Sequence, residues 1–107
     1  MDLKIANIQV KSGAAVLIDV REEEELRESG IAEGALWMPM SKMGEDDADW
    51  TAFKQNLPKD KPIFLYCRSG NRSGRVAEFL RLEGYDTNNL GGFKDWQAAE
   101  LPTRPFP

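Results

Sequence analysis

A single cysteine, followed by a short loop of glycine and arginine, is the part of this sequence best suited to chemistry. Cys67 comes directly after residues 62–66, a short apolar run that opens with a proline and is typical of a strand buried on both faces. The apolar positions of residues 73–82 then recur at helical spacing, and Gly84 is a common stop signal for a helix. Cys67 is therefore expected where a strand gives way to a helix, which is where ligands bind in an open α/β sheet.

The loop after the cysteine offers backbone amides and positive charge to an anion. Its N–H groups can point inward around the sulfur, because Gly70 permits a conformation that a Cβ atom would forbid. The start of the following helix and the side chains of Arg68 and Arg72 add positive charge at the same place. Each of these contributions favours a thiolate, so we expect the pKa of Cys67 to lie below the ~8.5 of a free thiol. The predicted anion-binding set is Arg68, Ser69, Gly70, Asn71, Arg72 and Ser73.

A buried structural role is the alternative interpretation of Cys67. Free cysteines are among the most buried residues in proteins, and many of them only fill space in a core. Glycine between two arginines directly after the cysteine is poor core material, however, and this context favours a nucleophile.

The residues that this sequence lacks narrow the chemistry further. It contains no histidine and one cysteine, which excludes a Cys-His dyad, an imidazole-based metal site, an internal disulfide and a CxxC redox pair. The aspartates within residues 46–49 are better explained as caps of a helix that ends before Pro58 than as ligands of Ca²⁺ or Mg²⁺. We therefore expect chemistry on one activated sulfur, with no metal and no organic cofactor.

Residues 67–73 resemble the active-site loop of rhodanese-type sulfurtransferases, whose usual form is Cys-x-x-Gly-x-Arg-Ser/Thr. Other landmarks of that family agree in order and spacing over nearly the whole chain. They are Asp19-Val20-Arg21 with Glu25 downstream, Gly34-Ala35 followed by Pro39, Gly84-Tyr85, and Gly91-Gly92 with Trp96. The chain thus resembles a single-domain rhodanese-like sulfurtransferase, also called a rhodanese homology domain.

The resemblance implies a sulfur-transfer mechanism. In that family the cysteine takes a sulfane sulfur from an anionic donor, thiosulfate or a persulfide, and itself becomes a persulfide. The sulfur then passes to a thiophilic acceptor such as cyanide or a thiol, including the thiol of a thioredoxin-like or other sulfur-accepting protein. By this resemblance Cys67 is the catalytic nucleophile, residues 68–73 bind the persulfide and the donor, and no cofactor is needed beyond the covalent persulfide.

The resemblance also implies supporting roles outside the loop. It suggests that Asp19 and Arg21, at the end of a neighbouring strand, brace the cysteine loop, although a purely structural ion pair at the strand end explains them equally well. One position departs from the family pattern, since Ile31 stands where relatives usually have a histidine. We expect that histidine to be architectural, so its replacement should change packing more than chemistry.

Three other functions are compatible with a cysteine loop of this kind. The first is a persulfide relay, a sulfur-carrier module that serves a partner protein and shows little turnover on small donors. The second is a small arsenate reductase or phosphatase, but those enzymes have five residues between the cysteine and the arginine, and this loop has four. The third is a catalytically silent regulatory domain, which usually lacks the cysteine that this chain retains.

Length and charge limit the class of protein and its partners. The 107 residues, of which 41% are hydrophobic, suffice for one domain over residues 1–107 with a proper core. A formal net charge of −4 argues against binding to nucleic acid or to an anionic membrane. No window approaches the ~20 apolar residues of a membrane span. An unpaired, reactive cysteine without an export signal indicates the reducing cytoplasm.

The order of the predicted elements indicates an α/β fold. Residues 3–11 fit either an edge strand or a helical turn. The whole pattern predicts a central, mainly parallel five-stranded sheet with helices on both faces. We expect strands within residues 15–20, 36–40, 62–66 and 85–90, helices within 22–28 and 73–82, and a last helix that carries Phe93 and Trp96.

Overall fold

Residues 2–106 are described by the computed structural model of the chain, and they contain six strands. Four of the strands form a parallel sheet, and the other two form a separate antiparallel pair. The strands are β1 (Val16–Asp19), β2 (Ile31–Ala32), β3 (Leu36–Trp37), β4 (Ile63–Cys67), β5 (Thr87–Gly92) and β6 (Thr103–Arg104). The parallel sheet has the order β3-β1-β4-β5, while β2 pairs with β6. The central parallel sheet predicted from the sequence is thus confirmed.

The central sheet has four strands instead of the predicted five. The ambiguous segment near the start of the chain forms a helix, α1 (Leu3–Lys11), and so adds no strand to the edge of the sheet. Asp2 caps this helix by accepting a hydrogen bond from the Lys4 amide at 2.8 Å, and Ala6 is fully buried on its inner side. An N-terminal cap and a buried face at helical spacing favour the helix over the strand.

Four further α-helices follow within the described residues 2–106, and the bounds of the predicted helices are close to those observed. Asp47 caps the second of them by accepting a hydrogen bond from the Trp50 amide at 3.0 Å, as the acidic run predicted. Among residues 2–106, no helix has both the length and the apolar character that crossing a membrane would require. The helices are α2 (Glu23–Ser29), α3 (Ala48–Gln55), α4 (Asn71–Leu82) and α5 (Phe93–Ala98), with a short 3₁₀ turn at Met40–Lys42 after β3.

Alternating side chains of the buried strands divide the core into two layers. On one face of the sheet, Leu17 and Tyr66 pack with residues of α1, α2 and α5. On the other face, Ile18, Leu65 and Cys67 pack with residues of α3 and α4. Helices therefore cover both faces, as predicted, and the cysteine belongs to the layer of α3 and α4.

The carboxyl ends of neighbouring strands meet at one edge of the sheet. Asp19, the last residue of β1, is in register with Tyr66, and Cys67, the last residue of β4, is in register with Gly92 of β5. Because α5 begins directly after Gly92 and α4 begins shortly after Cys67, the N-termini of both helices lie at this edge. The edge therefore holds the predicted site residues.

Candidate active site

Cys67 is buried, with 1% of its surface exposed, and hydrogen-bond donors surround its sulfur. The Gly70 amide donates to Sγ at 3.0 Å, and the Ser73 hydroxyl oxygen lies 3.4 Å from the same atom. Gly70 caps α4 with a φ of 97°, a left-handed conformation that glycine adopts without steric cost. The loop therefore curls around the sulfur and presents the N-terminus of α4 to it. Of the other predicted loop residues, Ser69 and Asn71 are exposed.

Two opposing effects set the pKa of the Cys67 thiol. Burial raises it, because a thiolate is poorly solvated inside a protein. Hydrogen bonds from the Ser73 hydroxyl, and from the backbone amides of Ser73, Ser69 and Gly70, lower it. The hydrogen bonds have the larger combined effect, so the pKa of Cys67 lies below its ordinary value. The loop thus favours a thiolate without the help of a histidine.

Gly92 of β5 lets this strand lie directly against the cysteine loop. A Cβ atom added at Gly92 would collide with the carbonyl oxygen of Arg68. A Cβ atom at Gly70 would lie 3.1 Å from the Cα atom of Gly91, and Gly70 also has a positive φ. The double glycine is therefore a packing requirement of the loop, because a side chain at residue 92 would push the backbone of Arg68 away.

Arg72 forms a two-pronged ion pair with Glu25 of α2. Its Nη1 and Nη2 atoms lie 2.7 and 2.8 Å from the two carboxylate oxygens of Glu25. The hydrogen bond from Arg72 lowers the pKa of Glu25 to about 2, although burial acts in the opposite direction. The pKa of Arg72 is raised mainly by Glu25 and also by the charge of Cys67. The cation therefore acts on the sulfur through space while its terminal nitrogens hold Glu25.

Arg68 keeps its charge available to a ligand. It is exposed, and within residues 2–106 it makes no ion pair. It lines a cavity of about 300 Å³ together with Lys94, Glu28 and the ring of Phe93. The described part of the chain contains no group of three His, Cys, Asp or Glu side chains that could hold a metal ion. The cavity lining thus combines the cations Arg68 and Lys94 with the carboxylates Glu25 and Glu28. A guanidinium such as that of Arg68 can donate to a small anion.

Asp19 and Arg21 form a buried ion pair at the end of β1, with Nη2 2.8 Å from Oδ2. The Arg21 guanidinium also donates to the Ser29 hydroxyl and to the Gly30 carbonyl, each at 2.8 Å. Its central carbon lies 4.2 Å from the centre of the Phe93 ring. The pair thus contacts the end of α2 and the start of α5. The Arg21 guanidinium also lies 5.6 Å from the centre of the Tyr66 ring, so the pair adjoins the residue directly before Cys67 as well.

Comparison with known proteins agrees with this arrangement. A family model described as a rhodanese-like domain matches residues 4–99. The chain is 33% identical over 91 residues to the thiosulfate sulfurtransferase GlpE of Coxiella burnetii, a match that covers 83% of this chain and 78% of that protein. The chain belongs to the rhodanese-like domain family.

One further relative and one solved structure are also similar to this chain. The chain is 42% identical over 84 residues to the uncharacterized protein YqhL of Bacillus subtilis, and the match covers 77% of this chain but only 60% of that longer protein. The crystal structure of a rhodanese-related protein from Thermoplasma volcanium has a TM-score of 0.73 and 28% sequence identity, with 94% of each chain covered. The relatives thus support a sulfurtransferase family and a rhodanese fold.

The rhodanese-like loop has one further partner, which the sequence alone did not single out. Asn89 of β5 donates through Nδ2 to the Gly70 carbonyl at 2.8 Å. Its Oδ1 atom lies 2.7 Å from the Ser73 hydroxyl oxygen and 3.1 Å from the Gly91 amide nitrogen. Asparagine is depleted in strands, so two adjacent asparagines, separated from the double glycine by Leu90 alone, were the available signal for a polar role at this sheet edge.

Ile31 occupies the position at which rhodanese relatives usually have a histidine. It is fully buried in β2 and packs in the same cluster as Leu26 and Tyr66, on the sheet face opposite Cys67. The amide of the next residue, Ala32, donates to the Tyr66 hydroxyl at 3.1 Å. These contacts agree with the expectation that residue 31 affects packing more than chemistry.

Proposed function

We propose that this rhodanese-like chain transfers sulfane sulfur from an anionic donor to a thiophilic acceptor through a persulfide on Cys67. The observation that carries the proposal is a buried cysteine sulfur that accepts a hydrogen bond from the Gly70 amide at 3.0 Å. The Ser73 hydroxyl oxygen lies 3.4 Å from the same sulfur. Groups that stabilise a thiolate also stabilise the negative charge of a persulfide. The similarity to a thiosulfate sulfurtransferase supports thiosulfate as the donor.

The proposed reaction has two half-reactions that balance without an added oxidant or reductant. The Cys67 thiolate attacks the outer sulfur of thiosulfate, the donor's S–S bond breaks, and sulfite leaves with the electron pair. The carbon of cyanide, or the sulfur of a thiolate, then attacks the outer sulfur of the resulting persulfide. The bond to Cys67 Sγ breaks and the thiolate returns, with thiocyanate or a new persulfide as the product. Neither step requires a metal or an organic cofactor.

Unpaired positive charge supports the choice of an anionic donor. Within the described chain Arg68 is exposed and makes no ion pair, and Lys94 lines the same cavity. Arg72 is nearer to being neutralised, because both of its terminal nitrogens hold Glu25. We therefore assign the larger share of donor binding to Arg68, with Arg72 acting through its charge and its hold on the loop.

The acceptor is proposed to be cyanide or a thiol, including a thiol of a thioredoxin-like protein. The loop residues Arg68, Ser69 and Asn71 are exposed, so the loop around the buried sulfur lies at the surface, where a nucleophile from solvent or from a partner approaches it. Steady-state turnover with thiosulfate and cyanide separates an enzyme from a relay. A relay is expected to load sulfur and to turn over slowly until its partner is present.

Intact-mass measurement tests the first half-reaction directly. The protein and a Cys67→Ser variant are incubated with thiosulfate, and excess reagent is removed before measurement. We expect the wild type to gain one sulfur atom, the variant to gain none, and cyanide or a thiol to remove the added sulfur. A wild type that gains no sulfur from thiosulfate or from a glutathione persulfide, although its cysteine is reduced, would contradict the proposal.

A further inference from the structure

Two polar side chains connect the sulfur of Cys67 to the surface of the molecule. Sγ lies 3.4 Å from the Ser73 hydroxyl oxygen, which lies 2.7 Å from Oδ1 of Asn89. Cys67 and Ser73 are buried, whereas Asn89 is exposed in the middle of β5. Each side chain comes from a different element, so the connection depends on the tertiary fold.

Two backbone groups fix the orientation of the Asn89 amide. Nδ2 lies 2.8 Å from the Gly70 carbonyl oxygen, which can only accept a hydrogen bond, and Oδ1 lies 3.1 Å from the Gly91 amide nitrogen, which can only donate one. The opposite orientation of the amide would place donor against donor and acceptor against acceptor. The atom that faces Ser73 is therefore an oxygen without a hydrogen.

This orientation determines where the single hydroxyl proton of Ser73 lies. Two oxygens 2.7 Å apart share a proton, and here Ser73 must supply it, because Asn89 Oδ1 has none. In this arrangement the Ser73 oxygen offers lone pairs to Cys67, which suits a protonated thiol. A thiolate has no proton to give and requires that the Ser73 hydroxyl turn toward the sulfur. The hydroxyl cannot serve both acceptors at once.

We propose that Asn89 is a positioning residue that controls the ionisation of Cys67 by competing with the sulfur for the proton of Ser73. When the sulfur is neutral, the hydroxyl donates to Asn89; when the sulfur is a thiolate or part of a persulfide anion, the hydroxyl donates to it. Asn89 tolerates the change, since its Oδ1 keeps the Gly91 amide and its Nδ2 keeps the Gly70 carbonyl. The inference rests on the proposed role of Cys67 as the nucleophile.

A merely structural role for Asn89 predicts a different result, and a double-mutant cycle separates the two. As a brace alone, Asn89 would hold Gly70 in place, and its removal would change the pKa of Cys67 equally whether or not Ser73 has a hydroxyl. As a competitor for the proton, it would act only while the hydroxyl is present. The coupling between the two substitutions is therefore the decisive quantity.

The experiment measures the pH dependence of iodoacetamide alkylation of Cys67 in the wild type, Ser73→Ala, Asn89→Ala and the double variant. Ser73→Ala is expected to raise the pKa by about one pH unit, because a donor to the thiolate is lost. Asn89→Ala is expected to shift the pKa of Cys67 downward in the wild-type background, and this shift should be more negative, by roughly half a unit, than the shift that the same substitution causes in the Ser73→Ala background. Equal shifts in both backgrounds would overturn the proposal.

Asn88 supplies the matched control, because it is the same residue type on the same strand and its side chain has no hydrogen bond to the cysteine loop in the described chain. Asn88→Ala should leave the alkylation profile unchanged. Alkylation reports ionisation whether or not the chain accepts sulfur from thiosulfate. A failed sulfur transfer and a failed role for Asn89 are therefore distinguishable.

A pH titration of the wild type by NMR keeps the proposal falsifiable should a variant unfold. The side-chain amide signals of Asn89 are expected to shift with a midpoint equal to the alkylation pKa of Cys67, because Oδ1 loses a hydrogen bond on ionisation. The shift should be absent in Cys67→Ser, and the Asn88 side-chain signals should stay constant. An Asn89 signal that does not move while Cys67 ionises would overturn the proposal.

Discussion

The two arginines of the cysteine loop have contrasting environments, although they are the same residue type in one short segment. Arg72 binds both carboxylate oxygens of Glu25, at 2.7 and 2.8 Å, and so ties the start of α4 to α2. Arg68 is exposed, makes no ion pair within residues 2–106, and lines the neighbouring cavity. The comparison indicates that one arginine maintains the loop and the other is free to bind a ligand.

The largest expected effect is the loss of stability on removal of Arg72. Arg72→Ala would leave the half-buried Glu25 carboxylate without its ion-pair partner and with the Glu22 amide as its remaining hydrogen-bond donor, at a cost of roughly 1–3 kcal/mol in the free energy of unfolding. It should also raise the pKa of Cys67, because a nearby cation is lost and an unpaired anion remains. Urea denaturation and the pH dependence of alkylation measure the two effects. Arg68→Ala is the matched control and should cost less than about 0.5 kcal/mol; equal losses would refute the contrast.

The same ion pair predicts how stability responds to acid. The pKa of Glu25 in the folded chain is about 2, below its ordinary value of 4.5, so the folded state binds fewer protons at Glu25 than the unfolded state does. This contribution is fully present above pH 4.5 and is lost as the pH falls toward 2. Allowing for partial exposure, we expect it to be roughly 1–2 kcal/mol.

Glu25→Gln removes that titrating group while nearly preserving its shape. Over the window from pH 4.5 to 2, the free energy of unfolding of the variant should fall less steeply than that of the wild type. Urea denaturation at closely spaced pH values checks this slope. Identical slopes in the two proteins would show that the ion pair contributes no pH-dependent stability.

The contrast between Arg68 and Arg72 also shows what the sequence could and could not predict. The positions of Cys67, Gly70 and both arginines were evident from the loop pattern, because a strand, a cysteine and a helix follow one another without interruption. The partner of Arg72 lies 47 residues away in the sequence, and residue types alone do not say which of two nearby cations such a carboxylate selects. Asn89 was missed for the same reason, since its hydrogen bonds depend on how β5 lies against the loop.

Local signals decided which parts of the fold were predicted correctly. The buried strands β1 and β4 and the long helix α4 have strong apolar patterns, and they were predicted near their observed bounds. The strand expected within residues 36–40 is shorter, because Pro39 and a 3₁₀ turn follow Trp37. The strand count was wrong, because residues 3–11 have a helix cap whose effect outweighs the strand-like content of their isoleucines and valine.

A smaller effect is expected from Arg68 on the selection of anions. Iodoacetate and iodoacetamide alkylate the same sulfur, but only iodoacetate carries a negative charge. Arg68→Ala should slow iodoacetate relative to iodoacetamide by roughly twofold to fivefold, and should raise the KM for thiosulfate by a similar factor, since an exposed charge contributes up to about 1 kcal/mol. The ratio of the two alkylation rates is the measurement. Exposed Arg75 offers a control: if Arg75→Ala lowers the ratio as much, Arg68 has no special part in anion binding.

The smallest expected effect is that of salt, and it distinguishes an exposed cation from one held in a close ion pair. Raising the ionic strength from 0.1 to 1 M shortens the screening length from roughly 10 to roughly 3 Å. The ratio of the iodoacetate rate to the iodoacetamide rate should therefore fall by up to about twofold in the wild type and should change less in Arg68→Ala.

The stability that depends on Arg72 should change little over the same range of salt. Its nitrogens contact the Glu25 oxygens directly, at 2.7 and 2.8 Å, in a half-buried site where ions do not come between the charges. The difference in the free energy of unfolding between the wild type and Arg72→Ala should therefore be nearly the same at 0.1 and 1 M salt. If salt removed most of that difference, the Arg72–Glu25 pair would behave like an ordinary surface contact, and the proposed division between a loop-holding and a ligand-binding arginine would fail.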